Sequence, residues 1–350
     1  MQKASLLCTI IISFFASSQE VPEYYQEMQA RHAKAFGYDP EYRVNYIENI
    51  AVRGILYTDI ANYQFRNFDT GETYNLSPVS ESLIGFSMDY KWFAIGFSFG
   101  PRFLMTSGDK ELEQDSESLK LDLNLFYSDQ WGQNLFFLYN RGFNVKTNNE
   151  LVNEDLEALK DTRIQLIGGS TYYILNPDFS YRAYLNQTER QLKSAGSLVP
   201  KISYSFSSTD PNLPSDDSEI EVDKIKSFDV IADVGYYYTF VLNTKWYATL
   251  GAQPGVGYNN SNYRIQNASS INFNSIIFTF NGEVALGYNS YRWFFGAVGY
   301  WRNYNNTNNE NDQVNRDSSY IKVHFGYRFN DNRPMRKFFG WFEKILGLDY

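Results

Sequence analysis

His32 and His324 are the only two imidazoles in this chain of 350 residues. A serine-type hydrolase would need one of them as base, within hydrogen-bond reach of its nucleophile. His32 falls in a short N-terminal segment. His324 sits in "YIKVHFGYRF", where alternation gives it Lys322 and Gly326 as same-face neighbours and no adjacent serine. A relay at His324 would therefore need a serine or an acid from another strand. Metal chemistry has less support, because no spacing of His, Cys, Asp and Glu resembles a ligand motif. The glycines of "GAQPGVG" at 251–257 are placed between strands, without the strand–loop–helix setting of a phosphate cradle. No cofactor is expected.

The remaining candidates are charges embedded in apolar runs. "IIFTFNGEVALGY" at 276–288 places Glu283 among Ile, Phe, Val and Leu. Side chains alternate faces along a strand, so Thr279, Asn281 and Glu283 oppose Ile276, Phe278, Phe280 and Val284. The same parity puts Asp229 and Asp233 opposite Phe228, Val230 and Val234. It also sets Lys322, His324 and Arg328 opposite Ile321, Val323, Phe325, Tyr327 and Phe329. Asp89, Asp122, Arg163 and Arg182 join the same interior set. A denser cluster lies in "TERQLKS": Glu189, Arg190, Gln191, Lys193 and Ser194. It reads either as a luminal binding or gating site, or as a polar bend whose charges pair with an opposite wall.

Those charges need strands to hold them. Candidate strands cover roughly 44–57, 60–68, 82–92, 93–102, 119–130, 133–145, 162–175, 179–190, 197–208, 227–242, 245–258, 273–290, 292–304 and 318–330. Many reach the ~9–11 residues a tilted strand needs to cross a bilayer. Short turns such as "DYKW" at 89–92 and "LNTKW" at 242–246 alternate with long acidic loops at 106–118, 147–161, 208–224 and 305–319. Trp92, Trp131, Trp246 and Trp293 sit at the tight turns, as expected at a membrane–water interface. Aromatic residues make up 18 % of the chain and mean hydropathy is −0.44, a value alternating strands produce by averaging. These features predict an all-β, transmembrane, antiparallel up-and-down β-barrel. It has about 12 strands if 179–208 acts as one interrupted unit and 44–68 is not two complete spans, and about 14 if every candidate counts.

Both ends carry further signals. Lys3 followed by "ASLLCTIIISFFA" and small residues at 16–18 predicts a signal peptide over 1–18, cleaved before Gln19. Its removal would take Cys8, the single cysteine, so disulfide scaffolds and thiolate sites are excluded. Residues 19–43 predict a periplasmic or plugging segment with a short helix ending near Gly37, and 44–330 the barrel. Tyr327 and Phe329 resemble the terminal aromatic signal read by the barrel-insertion machinery. The tail 331–350 predicts an amphipathic helix, either lying on the inner leaflet or packed under the barrel or against a partner. Outer-membrane lipids are the expected surroundings and a small solute or ion a possible cargo. The net charge of −9 excludes nucleic acid.

The stretches "YIENIAVRGILY" (46–57), "SESLIGFSMDYKWFAIGFSFG" (80–100) and "FSYRAYLNQTERQLKSAGS" (179–197) carry a resemblance that spans nearly all of the mature chain. They resemble an uncharacterised family of Bacteroidetes outer-membrane β-barrel proteins, catalogued only as a domain of unknown function. The resemblance implies fold and a cell outer membrane location, with no established activity and no catalytic residues to carry over. The expected role is a small channel or an envelope structural protein. The alternatives are a lipid-modifying hydrolase using His324 and a surface adhesin acting through the acidic loops.

Overall fold

Alternation of apolar and polar residues over long stretches leaves each strand one greasy face, and such strands must share that face with lipid or with a core. The computed structural model describes residues 23–66, 73–104, 115–147, 150–151, 161–211, 222–266, 269–306 and 315–347. In chain order, helix α1 (Glu23–Phe36) precedes β1 (Arg43–Asn45), β2 (Asn49–Arg66), β3 (Thr73–Pro78), β4 (Ser82–Tyr90), β5 (Phe93–Phe99) and β6 (Glu117–Phe126). Next come β7 (Trp131–Arg141), β8 (Phe143–Thr147), β9 (Glu150–Leu151), β10 (Arg163–Tyr173), α2 (Arg182–Leu185), β11 (Glu189–Gln191) and β12 (Ala195–Asp210). The chain finishes with β13 (Val222–Val241), β14 (Trp246–Ile265), β15 (Ile271–Asn289), β16 (Trp293–Asn306), β17 (Asn315–Asn330) and α3 (Arg333–Leu346).

Twelve of these strands form the wall, each antiparallel to its neighbours: β2, β4, β5, β6, β7, β10, β12, β13, β14, β15, β16 and β17. The last strand pairs back onto the first from Asn315↔Gln64 to Asn330↔Asn49, which closes the barrel and leaves no edge. Strands β3, β8 and β9 extend the sheet from the far end of β2 as a flap outside this cycle. The expected count of 12 holds for the anticipated reason, since the described residues of the two expected strands at 44–57 and 60–68 fall in one wall strand, β2, and the short β1 before it. The expected strand at 179–190 is absent from the wall. That segment leaves the sheet after β10 and folds into the lumen as α2 and β11, where β11 pairs with β1. The signal-peptide reading, and most of the long loops, lie outside the described residues.

The faces follow parity. Ile321, Phe325, Phe278, Leu286, Phe228 and Val234 point outward and are exposed, while Thr279, Asn281, Glu283, Asp229, Asp233 and Arg328 point inward and are buried. Arg163 corrects the parity reading. It shares the outward face with the exposed Ile167 and lies at the strand end, 3.6 Å from Asp161. The glycine-rich stretch 251–257 also differs from expectation, lying within β14 rather than between strands. Its Gly251 faces the lumen directly across from Tyr237, whose ring fills the space a side chain would need (2.4 Å to a built Cβ).

That exchange recurs at the short-turn end of the barrel. Tyr247 lies over Gly287, Phe294 over Gly326 and Tyr172 over Gly132, each a cross-strand pair. Glycine in a strand normally weakens it, but here each one makes room for a large inward ring on the next strand. Outward at the same end, Trp131, Trp246 and Trp293 pack on Tyr173, Tyr288 and Tyr327 as an aromatic girdle. Trp92 differs, being buried under Phe339 of α3.

Gly287→Val should lower stability by about 1–3 kcal/mol, because the new side chain meets the Tyr247 ring with nowhere to move it. Gly299→Ala, whose Cβ would have its nearest neighbour at 4.0 Å, should stay within about 0.5 kcal/mol. Urea midpoints of the folded band in detergent compare the two.

Candidate functional site

A segment without ladder hydrogen bonds can enter a barrel only if its backbone carbonyls find donors there. Two arginines of the wall supply them, helped by Asn289, and a third arginine ties the segment back to a turn. Arg53 of β2 donates to the carbonyl of Leu185 at 2.9 Å, to the Gln187 side chain at 2.9 Å and to Asp89 at 3.0 Å. Arg328 of β17 donates to the carbonyls of Gln187, Ser290 and Tyr291 and to Asn289 Oδ1. Its guanidinium lies between the rings of Tyr46 and Phe294, 4.0 and 4.6 Å from their centroids. Arg182 of α2 reaches back from the segment to the Lys91 carbonyl at 2.6 Å, over the ring of Phe126 at 4.2 Å. A planar guanidinium with five donors suits this task better than a lysine would. Gln187, held by both Arg53 and Arg328, adopts φ 55°, a left-handed conformation costly for a residue with a side chain.

Glu189 is the hub of the plug. It accepts from Ser180 Oγ, from Asn45 Nδ2 at 3.1 Å and from Arg43 at 3.3 Å, with Arg182 at 3.8 Å. Arg43 also donates to Asp129, in the turn between β6 and β7. Burial pushes the Glu189 carboxyl up, but Arg43 and Arg182 together hold it below its ordinary value. Asp129 shares Arg43 with that second carboxylate, and burial pushes it up to about 6. The N-terminal segment caps the assembly. Gln29 of α1 exchanges two hydrogen bonds with the backbone of Asn45, and Met28 packs on Val44, Tyr46 and Tyr291.

The inner segment's own Tyr181 and Tyr184 pack with rings of the wall to fill the lumen around it. Tyr181 lies 5.1–5.3 Å from Tyr172, Tyr184 and Tyr237, and Val199, Ala285 and Val298 complete the cluster. Next comes a polar layer in which Asp233 accepts from Thr279, Asn281 and Ser203, and Lys201 donates to Gln253. Higher still, Asp229 accepts from Asn259, Ser205 and Tyr304. Lys120 and Asp122, 3.7 Å apart, are only partly covered.

The candidates read from sequence thus separate. Arg182, Glu189, Gln191 and Arg328 converge in the plug, where Gln191 bonds the carbonyls of Tyr42 and Asp178. Asp229, Asp233, Glu283 and Lys322 line the layers above it, with Glu283 feeling the charges of Lys322 and Lys201. Lys193 is exposed at the rim beside Glu41, and the Arg190 Nε has no partner among the described residues. His324 is buried with both ring nitrogens unpartnered among the described residues. Among the described residues, no hydroxyl or carboxylate lies within hydrogen-bond reach of either nitrogen, as a hydrolytic relay would need. Sequence reasoning missed Arg43, Arg53 and Asp129. Parity could have found Arg53, which shares the inward face of β2 with Ala51 and Tyr57, but nothing local marks the Asp129 turn as a partner for the plug.

Glu189→Ala would leave Arg43 and Arg182 buried beside an empty space, and a loss of about 3–5 kcal/mol is expected. Urea unfolding at pH 7 would show it, and Glu189→Gln should lose less. Burial lowers His32 to about 4. The folded protein therefore resists a proton that the unfolded chain takes up near 6.5, and stability present above that pH is lost as pH falls towards 4. The Asp129 shift offsets part of this loss in the wild type. The difference in urea midpoint between wild type and His32→Gln should consequently change between pH 6.5 and 4, and stay constant above 7.

No curated protein matches the sequence at a significant level. Among solved structures, the outer membrane protease OmpT from Escherichia coli aligns at 8 % identity, covering 81 % of this chain and 97 % of that one, with TM-score 0.34. The toluene transporter TbuX of Ralstonia pickettii gives 9 %, 81 %, 90 % and 0.29 on the same measures. Ail, the attachment invasion locus protein of Yersinia pestis, gives 9 %, 81 %, 99 % and 0.22. Likeness at this level transfers no activity. A family model described as a domain of unknown function, DUF4421, matches residues 37–329, from just after α1 to the end of the last strand, and the chain belongs to that family.

Proposed function

We propose that this protein is a plugged, non-conducting barrel of the outer membrane with a structural role in the envelope. Its short-turn end and both termini would face the periplasm and its long loops the outside. The observation that carries this reading is the segment 176–194 crossing the lumen, with its carbonyls bonded by Arg53 and Arg328 and its Glu189 held by Arg43 and Arg182. The apolar outer wall and the aromatic girdle support insertion in a bilayer. The strand end at Tyr327 and Phe329 suits recognition by an insertion machinery.

A second reading is a small-solute vestibule closed at its base. It is favoured by Lys120 and Asp122, whose side chains are 21 % and 32 % exposed inside the wall above the tyrosines.

Planar-bilayer recording of the refolded, heat-modifiable protein tests the proposal. Wild type should pass no stable current. Replacing 180–191 by a glycine–serine linker of equal length should produce discrete steps. Stable steps in the wild type would overturn the plugged reading in favour of a channel.

A further inference from the structure

Helix α3 begins with an Asn332 cap that accepts from Met335 N, has Pro334 in its first turn and ends at Gly347 with φ 67°. Its barrel-facing side is Met335, Phe339 and Phe342, packed on Ile50, Phe93, Leu125, Tyr90 and Trp92. Ile50, Phe93 and Leu125 share strand parity with the exposed Val52, Ile95 and Leu121, so they belong to the outer wall. The helix is therefore seated against the outside of the barrel at its short-turn rim, not beneath the lumen. Lys91 fixes it through Glu343 at 2.8 Å.

Two other faces of the helix are uncovered. Phe338, Trp341 and Ile345, spaced three and four residues apart, form one apolar stripe, 56–60 % exposed. Arg333, Lys337 and Lys344 are exposed beside it. The wall above is also at its lowest here. β5 has seven residues, which at ~3.3 Å each and a ~40° tilt rise roughly 18 Å, against the ~25 Å apolar band such barrels need. A helix with an apolar stripe lying against the low sector extends the band where the strands fall short.

We infer that α3 is a membrane-interface element that completes the apolar belt beneath β4–β6. Phe338, Trp341 and Ile345 enter the acyl boundary of the leaflet at the short-turn end, and Arg333, Lys337 and Lys344 bind the phosphates of its anionic phospholipids. This occupant fits both observations: the stripe is continuous with the lipid-facing wall, and the charge beside it is basic on a chain whose net charge is −9. An amphipathic helix with basic flanks binds in this way. The inference rests on the membrane-barrel reading and deepens it.

The test uses the full chain with Cys8→Ser, refolded into vesicles of phosphatidylcholine alone or with phosphatidylglycerol. A fluorophore is attached at Ile345→Cys or, separately, at Ile321→Cys on the wall. Quenching by lipids spin-labelled in the chain and by iodide is read for each. The Ile321 probe should be quenched by lipid in both vesicles. The Ile345 probe should be quenched by shallow lipid labels, and its iodide quenching should drop at least about threefold when phosphatidylglycerol is present. Reversing Arg333, Lys337 and Lys344 to Glu should abolish that drop. An Ile345 probe open to iodide in both vesicles, with Ile321 lipid-quenched, would overturn the inference and leave the barrel reading standing. An Ile321 probe open to water in heat-modifiable protein would instead overturn the barrel reading.

Discussion

Every part of this molecule answers to one constraint: a backbone polar group away from water must be hydrogen-bonded. In the wall the constraint is met by closure, since β17 pairs back onto β2 along the full length of the last strand. In the lumen it is met by side chains, because α2 and the turns around it have no ladder to join. Guanidinium groups from the paired strands β2 and β17, which close the barrel, take the place of a neighbouring strand. Arg53 and Arg328 approach the same residue, Gln187, one through its side chain and the other through its carbonyl. The strained φ of Gln187 persists because both partners fix it.

This arrangement accounts for the dense charge of the interior. A buried ion pair contributes little net stability once desolvation is counted. What Arg43, Asp129, Arg182 and Glu189 provide is position: only one placement of the inner segment satisfies all four. Packing supplies the stability instead, through the tyrosine layer and through inward rings lying over cross-strand glycines. Removing a ring would leave a cavity, and removing a glycine would force a clash. The two features are one device seen from adjacent strands.

The outside of the barrel repeats the theme of local compensation. Strands β13 and β14 have 20 residues each, whereas β5 has seven. A wall of such unequal height cannot present an even apolar band by strands alone. Helix α3 docks at the low sector and buries Trp92, the one turn tryptophan that does not reach the surface.

Much of the fold was legible in the residues themselves. Period-two alternation fixes which side of a strand faces outward, and it placed Glu283, Asp229, Asp233, Lys322 and Arg328 inside the barrel without any knowledge of their neighbours. The alternation of short turns with long loops set the strand count. Parity misassigned Arg163, because the reading started one strand on the wrong face, and it took 179–190 for wall, because a segment rich in Tyr, Leu and polar residues alternates whether or not it pairs. What tertiary structure alone decided was the partnership across the lumen. Arg43 and Asp129 are separated by 86 residues, and Arg43 and Glu189 by 146. Such pairs are set by barrel radius and by the inward fold of one connection. Sequence spacing does not encode that radius, and it could not say whether His324 meets a serine or, as found, no partner among the described residues.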